Sequence, residues 1–82
     1  MDSEHILYLY NDDEHSFDYV VEALIEICLH NSDQAEQCAY LAHYKGKYDV
    51  KVGSYYAISS MYEQLLDKGL KVSVQSTKQY IK

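Results

Sequence analysis

Residues 5–17 read HILYLYNDDEHSF, and the character of the chain changes inside this stretch. His5 to Tyr10 are mostly β-formers, which predicts a strand. Asn11, Asp12 and Asp13 then bring three oxygen-bearing side chains that favour turns and helix caps. Beyond them Phe17, Val20, Val21, Leu24, Ile27 and Cys28 recur at helical spacing, so a helix should start at Phe17 and end near His30. Ser16 is placed to cap it, and Asp18 and Glu22 suit its positive end.

The same logic extends to the C-terminus. Asn31 or Ser32 caps a second helix, whose inner face of Ala35, Cys38, Ala39 and Ala42 is unusually small. His43 to Lys47 reads as a turn, with Gly46 as the breaker. Tyr48, Val50 and Val52 alternate with Asp49 and Lys51, as in a half-buried strand with the first three facing inward. Gly53-Ser54 opens a third helix with Tyr55, Ile58, Met61 or Tyr62, Leu65 and Leu66 inward, ended by Gly69. Leu70, Val72 and Val74 alternate with Lys71, Ser73 and Gln75, predicting a third strand. The order is β-α-α-β-α-β. Half-polar strands imply an α+β fold, a three-stranded antiparallel sheet with three helices packed on one face. The expected organisation is a short tail over 1–4, a single domain over 5–76 and a C-terminal tail over 77–82.

Composition narrows the function. The chain has 82 residues, and one that short buries only about 60–65% of its unfolded surface, which disfavours a large enclosed active site. Thirteen acids against seven bases give a net charge of −6. All ten acids of residues 1–41 stand without a lysine, while the second half holds all seven lysines and three acids. A polyanion would have to avoid the front half, so nucleic acid is excluded and a cationic ligand is the better expectation. No apolar run approaches the roughly 18–20 residues of a membrane span, and Met1-Asp2-Ser3-Glu4 does not resemble a signal peptide. Cys28 and Cys38 read as buried reduced thiols, in keeping with the cytoplasm.

Catalytic and cofactor motifs are missing: there is no phosphate loop, HExxH, CxxC or nucleophile elbow, so neither an enzyme nor a cofactor is expected. His30 sits at a helix end, and His5 lies beside the terminus. Asp12, Asp13, His15 and His43 could approach one another as a metal site, but their spacing matches no standard ligand set. The concentrated feature is Asn11-Asp12-Asp13 leaving a strand, with His43 closing a later helix beside Tyr44 and Gly46. Caps alone explain each residue singly; three consecutive oxygen-bearing side chains exceed what one helix start needs.

The run Tyr8-Leu-Tyr-Asn-Asp-Asp13, then Phe17-Asp-Tyr-Val-Val21, Gln34-Ala35 and His43-Tyr-Lys-Gly-Lys47, resembles the ClpS family of adaptors of the bacterial Clp protease, over roughly residues 5–76. The resemblance implies the fold shared with the C-terminal domain of the ribosomal stalk protein, which has the element order deduced above. It also implies a function: recognition of proteins with a bulky hydrophobic N-terminal residue (Phe, Tyr, Trp or Leu), known as N-degrons, and their delivery to a ClpA- or ClpC-like AAA+ unfoldase. By similarity Asn11, Asp12 and His43 would hold the α-amino group and first peptide group, with Asp13 adding field or a water-bridged contact. The first side chain would enter a pocket formed by Phe17, Val20, Ala39, Ala42 and Leu70. These residue types suit the task. An α-amino group, with a pKa of about 7.7–8.0, is mostly charged at neutral pH and presents only donors. An amide oxygen, a carboxylate and a neutral imidazole all accept. Protonating His43 would turn an acceptor into a like charge, so affinity should fall in acid.

The chain departs from the family in ways that matter. Phe17 and Ala39 stand where relatives often have methionine, and Ala42 where many have a larger aliphatic, so exclusion of β-branched ends should be relaxed. His15 replaces a small polar residue, and Tyr55, Tyr56 and Met61 occupy the stretch that relatives use against the unfoldase. Few residues precede the first strand, so binding is better supported than hand-off. The competing expectations are a stalk-like interaction domain without an amine pocket and a small metal-dependent hydrolase.

Overall fold

The computed structural model describes residues 4–77, which fold as β1 (His5–Tyr10), α1 (Phe17–Cys28), α2 (Ser32–Lys45), β2 (Lys47–Gly53), α3 (Tyr55–Asp67) and β3 (Val72–Ser76). The strands form one antiparallel sheet in the order β2-β1-β3, so the first strand is central. Leu7 and Leu9 point from it into the core, flanked on β3 by their partners Val74 and Val72. Tyr8 and Tyr10 stand on the other face, with the Lys47 ammonium 4.7 Å from the Tyr8 ring centre. The three helices cover the leucine face, through Val20, Val21, Leu24 and Ile27 of α1, Ala35, Ala39 and Ala42 of α2, and Ile58 and Leu65 of α3. The expected α+β sandwich is therefore the fold found.

Local chemistry places each helix start. The Ser16 and Ser54 hydroxyls accept from the amides of Tyr19 and Ala57. Asn31 makes a full capping box with Gln34. Leu29 ends α1 with φ +62, a conformation ordinarily left to glycine. The imidazole of His30, 8% exposed, donates from Nε2 to the Val50 carbonyl at 2.9 Å and so ties the α1–α2 junction to β2. Its Nδ1 is buried without a hydrogen-bond partner among the described residues.

Four expectations need correction. His43, Tyr44 and Lys45 are not a turn: α2 runs through Lys45, and only Gly46, at φ +96 and donating its N–H to Ala42, stops it. Val52 faces out. The β1–β2 register shifts between Leu7 and Tyr8, so Val50 is an extra residue and every side chain after it changes face. Tyr55 and Leu66 are exposed, because the buried stripe of α3 is narrowed to Ile58 and Leu65 with Met61 and Tyr62 half-buried beside them. Leu70 lies before β3, and Val72 is the first residue of that strand. The proposed tails fall largely outside the described residues, although Thr77 is bonded to the Glu4 carbonyl through both its N–H and its hydroxyl. Among the described residues, no helix is long and apolar enough to cross a membrane.

Candidate functional site

The segment between β1 and α1 folds back over the C-terminal end of α2. The Asn11 N–H donates to the Gly46 carbonyl at 2.9 Å, which brings the loop against the helix end. Across the same junction the Asn11 Oδ1 lies 3.0 Å from Nδ1 of His43, a pairing of residues 32 apart in the chain. An amide oxygen only accepts, so the His43 proton sits on Nδ1. The neutral ring then keeps a free lone pair on Nε2.

Below this clip lies a cleft of about 330 Å³. Its apolar side is made by Leu9, Phe17, Val20, Ala39 and Ala42, and its polar side by Asn11, Asp12, Asp13 and His43, with Tyr10 and His15 completing the wall. Burial separates floor from mouth. Leu9, Val20, Ala39 and Ala42 are buried, whereas Asp13 and His43 are exposed and Phe17, at 47%, stands at the entrance. Space exists here because two alanines of α2 face α1, where larger side chains would fill it.

Eight of the nine sequence-derived site residues thus line one cleft: Asn11, Asp12, Asp13 and His43 with Phe17, Val20, Ala39 and Ala42. Leu70 does not. It is 2% exposed within the core cluster.

Asp12 departs from the role of an open acceptor. Its side chain is only 4% exposed and already takes three hydrogen bonds, from the amides of Glu14 and His15 and from the ring Nδ1 of His15. Burial by itself pushes the Asp12 carboxyl up; the bonds from Glu14 and His15, together with the charge of His15, outweigh it and hold the group below the usual carboxylate range. Asp12 therefore shapes the loop and supplies negative charge behind it. Asp13 and the Asn11–His43 pair carry the accessible acceptors.

His15 is the lining residue that sequence reasoning left without a role. Its ring stacks on Tyr19 with centres 4.9 Å apart and planes 14° apart, and the Tyr19 hydroxyl donates to the Lys68 carbonyl at 2.8 Å. The i, i+3 spacing of Asp12 and His15 was the available signal. Among the described residues no group of three or more His, Cys, Asp or Glu side chains is arranged to hold a metal ion. Neither thiol lines the cleft; Cys28 is buried as expected but Cys38 only half-buried, and burial pushes the Cys28 thiol up to about 11.

Comparison with known proteins now bears on the site. No curated protein matches the sequence. The structure is similar to that of Agrobacterium tumefaciens ClpS2 bound to L-phenylalaninamide, with a TM-score of 0.87 over 93% of this chain and 99% of that one. Sequence identity is 18%, so the likeness is one of fold. Residues 1–73 match the family described as ATP-dependent Clp protease adaptor protein ClpS. With the matched region spanning most of its length, the chain belongs to the ClpS family of Clp protease adaptors.

Proposed function

We propose that the cleft receives the first residue of a protein whose N-terminus is free and whose first side chain is bulky and hydrophobic, an N-degron beginning with Phe, Tyr, Trp or Leu. The observation that carries this is the joining of an apolar slot of about 330 Å³ to a rim made of acceptors. The α-amino group would donate to Nε2 of His43 and to the Asn11 amide oxygen, with the carboxylates of Asp13 and Asp12 supplying negative field. Helix α2 adds to it. His43 sits in its last turn, where the helix dipole is negative and a cation is favoured by about 0.3–1 kcal/mol. The ligand in the solved relative, an aromatic amino-acid amide with a free amine, has the matching chemistry.

Held this way, a substrate would be delivered to a ClpA- or ClpC-like AAA+ unfoldase in the cytoplasm, with residues 5–76 as the working domain. The chain's part is binding, and the chemistry belongs to the protease. A labelled Phe-ended peptide should bind, and its N-acetylated copy should bind at least about 10-fold more weakly, because acetylation removes the charge and leaves acceptors unpaired. Equal binding of the two copies, or none of either, refutes the assignment. A stalk-like interaction domain would give that second result.

A further inference from the structure

The turn between α3 and β3 meets the β1–α1 loop at both of its ends. At the first end the Tyr10 N–H donates to the Lys71 carbonyl at 2.9 Å. At the far end the edge of the His15 ring lies against Gly69, where an added Cβ would stand 3.3 Å from Nε2 and crowd the ring. Tyr19, in the first turn of α1, bridges the same gap. Its ring stacks on His15 with centres 4.9 Å apart, and its hydroxyl donates to the Lys68 carbonyl at 2.8 Å. His15 in turn donates from Nδ1 to the Asp12 carboxylate, a bond open to the neutral and to the charged ring alike. Asp12 also accepts from the amides of Glu14 and His15. The contacts therefore run from Lys68 through Tyr19 and His15 to Asp12, which stands between Asn11 and Asp13 in the chain. Tyr19 itself is 40% exposed and does not line the cleft.

We infer that Tyr19 is a positioning residue for amine recognition: through His15 and Asp12 it fixes the loop that carries Asn11 and Asp13, so that the acceptors stand in place before a ligand arrives. The inference rests on the cleft being the site of an N-terminal residue. Asn11 is anchored directly, by the Gly46 carbonyl and by His43, and the loop beyond it reaches the rest of the fold at His15. A loop that orders only on binding weakens affinity, because each side chain immobilised at that moment subtracts from the binding free energy. Acceptors held in advance by a supporting layer of contacts avoid that loss. Since Tyr19 is no part of the cleft, any effect of its side chain on affinity has to pass through His15 and the loop.

The test is titration of L-phenylalaninamide against the wild-type protein, Tyr19→Leu and Tyr19→Phe, together with amide hydrogen exchange of the three ligand-free proteins. Tyr19→Leu removes both the stack and the hydroxyl and should weaken binding about 3- to 10-fold, the worth of one side chain left to be ordered. Tyr19→Phe keeps the stack and loses only the bond to Lys68, so its affinity should lie between the other two. In Tyr19→Leu the amides of Glu14 and His15, which Asp12 holds, should exchange faster by a similar factor relative to those of Leu24 and Ile27 on the buried face of α1. A purely structural role for Tyr19 would instead speed exchange at Leu24 and Ile27 and leave the loop amides and the affinity unchanged. Wild-type affinity in Tyr19→Leu, or unchanged exchange at Glu14 and His15, overturns the inference while leaving amine recognition intact. Failure of the wild type to bind the amide overturns both. Should Tyr19→Leu not fold, the same two readings on Tyr19→Phe decide the matter.

Discussion

Lowering the pH from about 7.5 to about 5.5 should destabilise the fold through His30, and the structure bounds the effect. Burial chiefly, then the positive charge of Lys51, lowers the His30 pKa, and the hydrogen bond to the Val50 carbonyl only partly opposes this. Nδ1, where a second proton would go, has no acceptor among the described residues. The unfolded chain's imidazole titrates near about 6.5. A base whose folded pKa is depressed contributes stability that is complete above the unfolded value. That stability is lost as pH falls from about 6.5 towards the folded value, at up to about 1.4 kcal/mol per pH unit. If the folded state stays neutral, the unfolded state at about pH 5.5 gains RT ln 11, or about 1.4 kcal/mol. A small domain has roughly 5–15 kcal/mol in total, so the loss is measurable. The assay is urea denaturation at the two pH values, followed by far-UV circular dichroism, on the wild type and His30→Leu. Both proteins share the other three histidines, so the difference between their pH responses isolates this ring. Asp12 does not interfere. Its folded pKa is depressed below 3.8, so its contribution is present above that value and lost only at lower pH. A wild type that loses no more stability than His30→Leu over this window would refute the account.

Three other outcomes follow from the site. Asn11→Ala and His43→Ala should each weaken binding of a Phe-ended peptide about 10-fold or more, since each removes an acceptor for a charged donor; fluorescence anisotropy that shows wild-type affinity in both removes the clip from recognition. Ala39→Met should fill part of the slot and discriminate against Ile-ended peptides that the wild type accepts, and equal affinities of the two proteins would show that the slot does not set this preference. Gly69→Ala places a Cβ 3.3 Å from His15 at a backbone φ of +83, so chemical denaturation should show a loss of about 1–2 kcal/mol; no loss would mean that the turn relaxes freely.

Caps and periodicity are local properties, and they made the element order legible from residues alone. Ser16, Asn31 and Ser54 act on amides three residues away, and the apolar stripe of α1 repeats within one helix. The errors of two and three residues at the helix ends have the same origin. Leu29 takes a left-handed conformation that its side chain does not announce, and α2 continues through His43 because nothing before Gly46 stops it. The inward Val52 failed for a different reason: alternation assumes an unbroken ladder, and the bulge opposite Leu7 and Tyr8 inverts it.

By itself, then, the sequence determined where strands and helices begin, which residues carry acceptors, and that a run of small residues on the second helix could leave room. Each of these is written within a few residues of chain. Tertiary structure decided which groups meet. It paired Asn11 with His43 across 32 residues, bound the Asp12 carboxylate to its own loop, put Leu70 in the core, and set His15 in the wall between Tyr19 and Gly69. Those outcomes depend on how the sheet registers and on how closely two helices approach. Contacts between distant segments fix both quantities, and no local pattern encodes them.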